Sequence, residues 1–226
     1  MRRAASYAID RRALAANGGA FSTVAAPAQM NIPPGMPGFR DAHVYPLVPD
    51  LTAATRLAGS GHHDAELYCA LDGGSPRAAQ IIKNELAAIG IDVHVHCVPG
   101  YEMWTLLSRP NEPWDIAIDT YGSNYDDPGE FINGLAVQDA FNYSHYHDPR
   151  LNRTIRAASR LAGLPRAQAY AKIDLALTRD IVPRINFANP IQEDFFSARI
   201  GCQLYQPVVG MDLAALCIRP SSPRHS

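Results

Sequence analysis

Apolar residues near the start of the chain recur with the spacing of an α-helix. Ala4, Tyr7 and Leu14 fall on this pattern, and a pair of glycines at positions 18 and 19 ends it. We therefore predict one helix over residues 3–17. Because no strand precedes this helix, we expect the chain to begin inside a larger fold.

Proline and glycine interrupt the apolar pattern over residues 26–49. Proline removes backbone donors and glycine admits positive φ angles, so we expect an ordered loop without regular secondary structure here. The apolar pattern returns over residues 51–58, and Asp50 stands where it can cap the first turn of a short helix.

The clearest unit of the sequence is a strand, a helix and a second strand. Apolar residues predict strands over residues 66–71 and 91–98. Between them, Ser75 is predicted to be the N-cap of a helix with Pro76 at its first position, and Gly90 ends an apolar stripe at three- and four-residue spacing. The two strands are expected to be parallel and joined by a right-handed crossover.

Strands and helices continue to alternate in the second half of the chain. A short helix over residues 101–108 and a third strand over residues 114–120 are predicted first. Three helices are expected next, over residues 128–136, 149–161 and 165–179. The remainder mixes short apolar runs with proline and glycine, which indicates short strands and loops. This order of elements is typical of the α/β or α+β class.

The composition is ordinary for a globular protein and argues against some partners. Of the 226 residues, 47% are hydrophobic and 19% are charged, and the formal net charge is −2. This charge argues against nucleic acid or an anionic membrane surface as a partner. No run approaches the roughly 18 apolar residues of a membrane span, and no apolar segment typical of a signal peptide follows the first arginines.

Four cysteines, at positions 69, 97, 202 and 217, stand far apart and form no CxxC pair. This spacing argues against a zinc knuckle or a redox site. Cys69 and Cys97 each lie in an apolar, strand-like run, where small buried thiols are common. We expect these two cysteines to be free and buried, and a disulfide between them is the alternative that the sequence leaves open.

Histidines are the candidate metal ligands of the chain. His94 and His96 lie two apart on a predicted strand, so both face the same side, as a metal-binding pair would. No third ligand has a defined spacing, which favours a half-exposed strand face without metal. His62 and His63 follow a glycine-rich stretch and are interpreted as loop residues.

Two further polar clusters have simpler interpretations than metal binding. His145 and His147 precede Asp148, which is better explained as the cap of the helix that Pro149 begins. A group of acidic residues stands around the start of the preceding helix: Asp126, Asp127 and Glu130. This group could bind calcium, but it lacks the alternation and the glycine of an EF-hand loop. Its charges favour the positive end of the helix dipole instead.

The common catalytic motifs are missing from the sequence. It contains no GxSxG, no HExxH, no GxxxxGK[ST] and no GxGxxG after a strand. Gly73, Gly74 and Ser75 precede a helix and could hold an anion at its N-terminus, but no other phosphate-binding residue accompanies them. We therefore expect no enzymatic activity and no cofactor.

Five segments in collinear order resemble family 5 of the solute-binding proteins, the peptide, oligopeptide and nickel binders of ABC importers. The segments are RRAASYAIDRRAL (2–14), IPPGMPGF (32–39), WDIA leading to YDDP and a phenylalanine (114–131), FNYS and DP (141–149), and DIVP (180–183). Each match is weak alone, and their shared order and spacing over nearly the whole chain make the resemblance specific.

This resemblance implies a two-lobed clamp with a type II periplasmic-binding-protein-like fold, which closes on its ligand. Residues 1–182 would form the second lobe, an α/β unit with a mixed sheet and flanking helices. Residues 183–226 would be the return segment that crosses to a first lobe, which is absent from the chain. The implied partners are a peptide or similar small solute and an ABC permease in the membrane, and the implied location is extracytoplasmic.

The family's ligand cleft corresponds to the loop after the third predicted strand. The residues implied to contact ligand are Tyr121, Gly122, Ser123, Asn124 and Tyr125. Peptide-binding members usually carry an aromatic residue, commonly Trp, at the first position and an aspartate three residues later, which pairs with the peptide's amino terminus. Tyr121 and Asn124 stand there instead. We hypothesise that the ligand is not a simple free-amine peptide, or that Asp126 or Asp127 supplies the charge.

Metal binding is the alternative function that the resemblance leaves open. The family also includes nickel binders, and the histidine pairs of this chain would then supply the ligands. No residue is assigned to a metal on the sequence alone.

Overall fold

The computed structural model describes residues 1–17, 24–109, 111–136, 142–144, 146–206 and 210–219. Its helices are α1 (Arg2–Ala8), α2 (Arg11–Ala16), α3 (Leu51–Ala58), α4 (Ser75–Ala87), α5 (Gly100–Leu107), α6 (Gly129–Ala136), α7 (Pro149–Ser159) and α8 (Gly163–Ala176). A π-helical turn, Leu177–Ile181, extends α8. The strands are β1 (Ala25–Pro27), β2 (His63–Ala70), β3 (Ile91–Val98), β4 (Ile116–Ala117), β5 (Ala188–Pro190), β6 (Ile200–Gly201), β7 (Tyr205–Gln206), β8 (Gly210–Met211) and β9 (Cys217–Ile218).

A parallel three-stranded sheet in the order β3–β2–β4 organises the fold. β2 and β3 pair along all eight residues of each strand, which confirms the predicted parallel strand–helix–strand unit. β4 is shorter than the strand predicted over residues 114–120. Its hydrogen bonds to β2 run only from Asp115 to Ile118, because the chain then leaves the sheet to form the loop over residues 119–128.

The main hydrophobic core lies between this sheet and helices α1, α2 and α4. Leu67, Cys69 and Val93 on the strands are fully buried and cluster with Ile82 and Leu86 of α4. The apolar stripe predicted for α4 is thus confirmed. A second cluster joins α6, α7 and α8 to the proline-rich loop, so the helices of the second half pack on the segment that precedes the sheet.

The proline-rich loop is ordered by a buried carboxylate on α8. Asp174 is 1% exposed and accepts hydrogen bonds from the backbone N–H groups of Asn31 (3.1 Å) and Ile32 (3.0 Å), and from the side-chain amide of Asn31 (2.8 Å). Backbone donors that a helix or strand would otherwise satisfy are satisfied here by a side chain. Beyond the short strand β1, this segment is the ordered loop that its prolines predict.

The first predicted helix is wrong in one respect, because it is broken into α1 and α2. Ile9 adopts an extended conformation, with φ −73° and ψ 125°. Asp10 then caps α2 by accepting a hydrogen bond from the Ala13 backbone N–H at 2.9 Å. The apolar spacing carries across this break, so periodicity alone could not reveal it. The break turns the Arg11 side chain into the interior, where it is 1% exposed.

The predicted helix caps are confirmed at two of three places. Asp50 accepts from the Ala53 N–H at 2.9 Å, and Asp148 accepts from the Arg150 N–H at 2.7 Å. The assignment of Ser75 as a cap is wrong. Gly74 is the N-cap and Ser75 is the first helical residue, with a buried hydroxyl that has no hydrogen-bond partner among the described residues.

The expectation of free cysteines is also wrong, since Cys69 is bonded to Cys97 and Cys202 to Cys217. Cys69 and Cys97 lie opposite each other in the parallel register of β2 and β3, with Cα atoms 4.5 Å apart. That register brings together two cysteines that are 28 residues apart, and the pairing of the strands could not be read from the sequence. A buried position therefore did not imply a free thiol.

The segment after α8 packs against the rest of the fold near its start and is largely exposed beyond residue 190. β5 pairs with β1 in antiparallel register, while β6 pairs with β9 and β7 with β8. These short strands confirm the expectation for the end of the chain. Among the helices described, none combines the length and the apolar character that crossing a bilayer requires.

Candidate functional site

The candidate ligand loop, residues 119–128, begins where β4 ends. Since β2, β3 and β4 are parallel, their carboxyl ends share one edge of the sheet, which is where open α/β sheets usually bind ligands. Within the loop, Gly122, Asn124 and Tyr125 are exposed, whereas Tyr121 and Ser123 are half-buried. The five residues implied by the sequence therefore lie together at this edge.

Glu130, in the first turn of α6, holds this loop together. Its side chain is 8% exposed. One carboxylate oxygen, Oε1, accepts hydrogen bonds from the Asn124 side-chain amide at 2.6 Å, the Asn124 backbone N–H at 3.3 Å and the Tyr121 hydroxyl at 3.3 Å. The sequence suggested a helix-dipole or calcium role for Glu130. The structure keeps Glu130 in the first turn of α6, where its charge suits the helix dipole, and also places its carboxylate against the candidate ligand loop.

Glu130 carries the negative charge at the centre of the loop. Burial raises the pKa of Glu130, but the hydrogen bonds from Asn124, Tyr125 and Tyr121 outweigh it, so the pKa lies below its ordinary value. The carboxylate is consequently ionised at neutral pH. The same contact raises the pKa of the Tyr125 hydroxyl, because the proton of that hydroxyl is held by Glu130.

Asp127 is engaged elsewhere, in a two-pronged ion pair with Arg166 of α8. The Arg166 Nε and Nη2 atoms lie 2.7 Å from the two oxygens of Asp127. Asp127 also accepts from the Gly129 N–H at 2.7 Å, and these bonds lower the pKa of its carboxyl group. The acidic group around the start of α6 thus does not converge as a calcium site would, because Asp127 and Glu130 face different partners.

A second polar pair lies beneath the loop. Arg184 Nη2 is 3.9 Å from Asp119 Oδ2, with side chains only 27% and 18% exposed. Burial raises the pKa of Asp119 to about 6 and lowers the pKa of Arg184. The Arg184 guanidinium is 5.8 Å from the centre of the Tyr121 ring, and that ring meets Phe131 edge-on at 5.6 Å. Tyr121 is thereby fixed in position from two sides.

These contacts explain what sequence reasoning missed. The loop residues were found through the family pattern, but Glu130 and Arg184 were not assigned to the site. Arg184 is separated from Tyr121 by more than sixty positions, so only the fold could bring them together. The spacing of Asn124 and Glu130 offered a weak signal, because a loop that runs directly into a helix is often bound by an acid in its first turn.

His94 and His96 share the exposed face of β3, as predicted. Each faces an acid of the neighbouring strand: His94 Nε2 lies 3.6 Å from Asp64 Oδ1, and His96 Nε2 contacts the Glu66 carboxylate. The two histidines therefore have separate neighbours. In the other predicted cluster, His145 lies outside the described residues.

The match to a family model covers residues 1–143, and the family is described as bacterial extracellular solute-binding proteins, family 5. Among solved structures, HbpA2 from Haemophilus parasuis is 18% identical with a TM-score of 0.82 over 97% of this chain. The ABC transporter substrate-binding protein CtaP from Listeria monocytogenes is 24% identical, with a TM-score of 0.77 over 96% of this chain. DppA from Helicobacter pylori, solved in complex with peptide STSA, is 21% identical, with a TM-score of 0.69 over 84% of this chain.

These likenesses concern the fold. This chain spans 45% of HbpA2, 46% of CtaP and 38% of DppA. No curated protein matches it.

Proposed function

Because the chain belongs to family 5 of the bacterial extracellular solute-binding proteins, we propose that it forms one wall of a ligand cleft. Its role would be to capture a peptide or similar small solute for an ABC importer. The observation that carries this proposal is the loop at the carboxyl edge of the sheet, whose conformation is fixed by hydrogen bonds to Glu130.

Each residue from 121 to 125 has a role that its side chain or its backbone supports. Tyr121 and Tyr125 offer aromatic faces for stacking, and Tyr125 is 57% exposed. Asn124 and the backbone groups of Gly122 and Ser123 supply hydrogen bonds that orient the ligand. Loops on a rigid scaffold are frequent carriers of binding residues, and here the scaffold is the parallel sheet with α6.

The contacts of the Asn124 side chain favour a solute without a free amino group at this position, because the ionised Glu130 behind it is buried and its Oε1 already accepts three hydrogen bonds from the loop. The Asn124 amide already donates to Glu130, and its carbonyl oxygen is neutral. A neutral oxygen accepts from an ammonium group more weakly than a carboxylate does. Asp127 is paired with Arg166, so it is poorly placed to supply the missing charge. A peptide with a blocked amino end, or a different small polar solute, therefore suits the loop better.

The proposed mechanism is capture by closure of two lobes about a hinge. Residues 1–182 would form the lobe that presents the ligand loop, and residues 183–226 would run towards a first lobe. Exposure of residues 191–199 supports this division, since they leave the packed part of the structure. The closed form would then dock on an ABC permease at the outer side of the membrane.

Calorimetric titration with trialanine and with N-acetyl-trialanine tests the proposal. We expect weak binding of the acetylated probe. The double variant Asn124→Asp/Glu130→Gln moves the negative charge to position 124, and the amide introduced at position 130 can donate to it, so the contact between the two side chains is kept. We expect this double variant to improve binding of free trialanine by roughly 10-fold, because a charge-assisted bond contributes about 1.5–3 kcal/mol. Asn84→Asp, on the exposed side of α4, is the matched control and should change neither affinity. An unchanged preference in Asn124→Asp/Glu130→Gln, or no binding of either probe, would contradict the proposal.

A further inference from the structure

Two histidines and two aspartates meet on the exposed side of the sheet, at the amino ends of β2 and β3. His62 Nε2 lies 3.8 Å from Asp64 Oδ1, and His94 Nε2 lies 3.6 Å from the same oxygen. One ligand atom from each of His62, Asp64 and Asp92 lies within 4.8 Å of the others. We call these four residues the His–Asp cluster. It stands at the edge of the sheet opposite the candidate ligand loop.

The strand register creates an electrostatic problem within this cluster. Asp64 and Asp92 are directly opposite each other in the β2–β3 ladder, and both are exposed. Like charges directly opposite on neighbouring strands destabilise a sheet. A cation bound between the two carboxylates would remove that repulsion.

The donor set fits a borderline divalent cation such as Zn²⁺. Imidazole nitrogen and carboxylate oxygen both bind zinc at about 2.0–2.2 Å, so the ligand atoms of a tetrahedral site are about 3.3–3.6 Å apart. The two histidine–aspartate distances are close to that edge length. All four side chains are exposed, so small rotations bring their atoms into range. Calcium and magnesium, which prefer oxygen ligands, fit this set less well.

We propose that the His–Asp cluster is a binding site for a Zn²⁺-like divalent cation. The site is separate from the ligand loop and does not depend on solute capture. The sequence pointed to His94 with His96, but the structure places His94 beside Asp64 of the neighbouring strand, which His62 also approaches. The cysteines do not compete for the metal, because all four form disulfides.

Calorimetric titration of the oxidised, tag-free chain with ZnCl₂ at pH 7.5 tests the site. We expect one equivalent of Zn²⁺ to be lost, or to bind at least about 10-fold more weakly, in Asp64→Asn and in His94→Ala. His43→Ala is the matched control: His43 lies 3.3 Å from Asp41 in an exposed pair, and its loss should leave that equivalent unchanged.

Thermal unfolding separates metal binding from a structural role of Asp64. In EDTA, Asp64→Asn should be at least as stable as the parent chain, because the substitution relieves repulsion with Asp92. Zn²⁺ should raise the midpoint of the parent and of His43→Ala but not that of Asp64→Asn. The proposal is overturned if the parent shows no Zn²⁺ binding, or if both cluster variants retain the parent's stoichiometry and affinity.

Discussion

Replacing Arg11 by methionine should lower the free energy of unfolding by about 3–5 kcal/mol. The matched control is Arg12→Met, which removes the same charge from the adjacent, exposed position and should change the free energy by less than about 0.5 kcal/mol. Urea denaturation followed by circular dichroism measures both. Equal effects of the two substitutions would contradict this expectation.

The size of the Arg11 effect follows from the hydrogen bonds that its guanidinium donates. It donates to the backbone carbonyls of Ser6 at 2.9 Å, Asn186 at 3.0 Å and Pro46 at 3.4 Å. Three segments that are far from one another in sequence thus meet at one side chain. In the variant, the carbonyl group that each segment contributes would lose its hydrogen bond to the guanidinium. Burial lowers the pKa of Arg11 to about 10, so the group remains charged near neutral pH and its hydrogen bonds persist.

Removing the Cys69–Cys97 disulfide should produce the second large effect. In the double variant Cys69→Ala/Cys97→Ala we expect the free energy of unfolding to fall by about 3 kcal/mol, since the bond restricts the unfolded chain over a separation of 28 residues. Cys69 is fully buried, so its truncation also removes core contacts. The measurement is urea denaturation without reductant.

The other disulfide supplies the control. Cys202 and Cys217 join β9 to the residue after β6, in a segment whose short strands pair mainly with each other. The variant Cys202→Ala/Cys217→Ala should loosen that segment while the unfolding midpoint of the sheet and its helices changes little. A parent-like unfolding curve for the Cys69–Cys97 variant would show that the central disulfide contributes little to stability.

Local signals predicted the parts of the fold that are set by neighbours in sequence. β3 has the predicted limits, and Asp50 and Asp148 cap their helices as expected, because capping depends on a few adjacent residues. The inward turn of Arg11 could not be predicted, since it depends on carbonyls from segments far along the chain.

The candidate site could likewise be predicted only in part from the sequence. The positions of Tyr121 and Asn124 follow from the family pattern, but the charge that organises them is on Glu130, in the next helix. Arg184 approaches Tyr121 only because the segment after α8 folds back against the core of the sheet. The disulfide register between β2 and β3 and the contact of His94 with Asp64 likewise exist only once the strands have paired.

The most direct measurement is a ¹⁵N–¹H NMR titration of the labelled chain with N-acetyl-trialanine, which detects even millimolar binding residue by residue. We expect the largest amide shift changes at residues 121–125, with smaller ones at Glu130 and Arg184. The same residues should stay unperturbed in Tyr121→Ala at equal probe concentration. Shift changes confined to another surface, or none at saturating probe, would contradict the assignment of this loop as the wall of a solute-binding cleft.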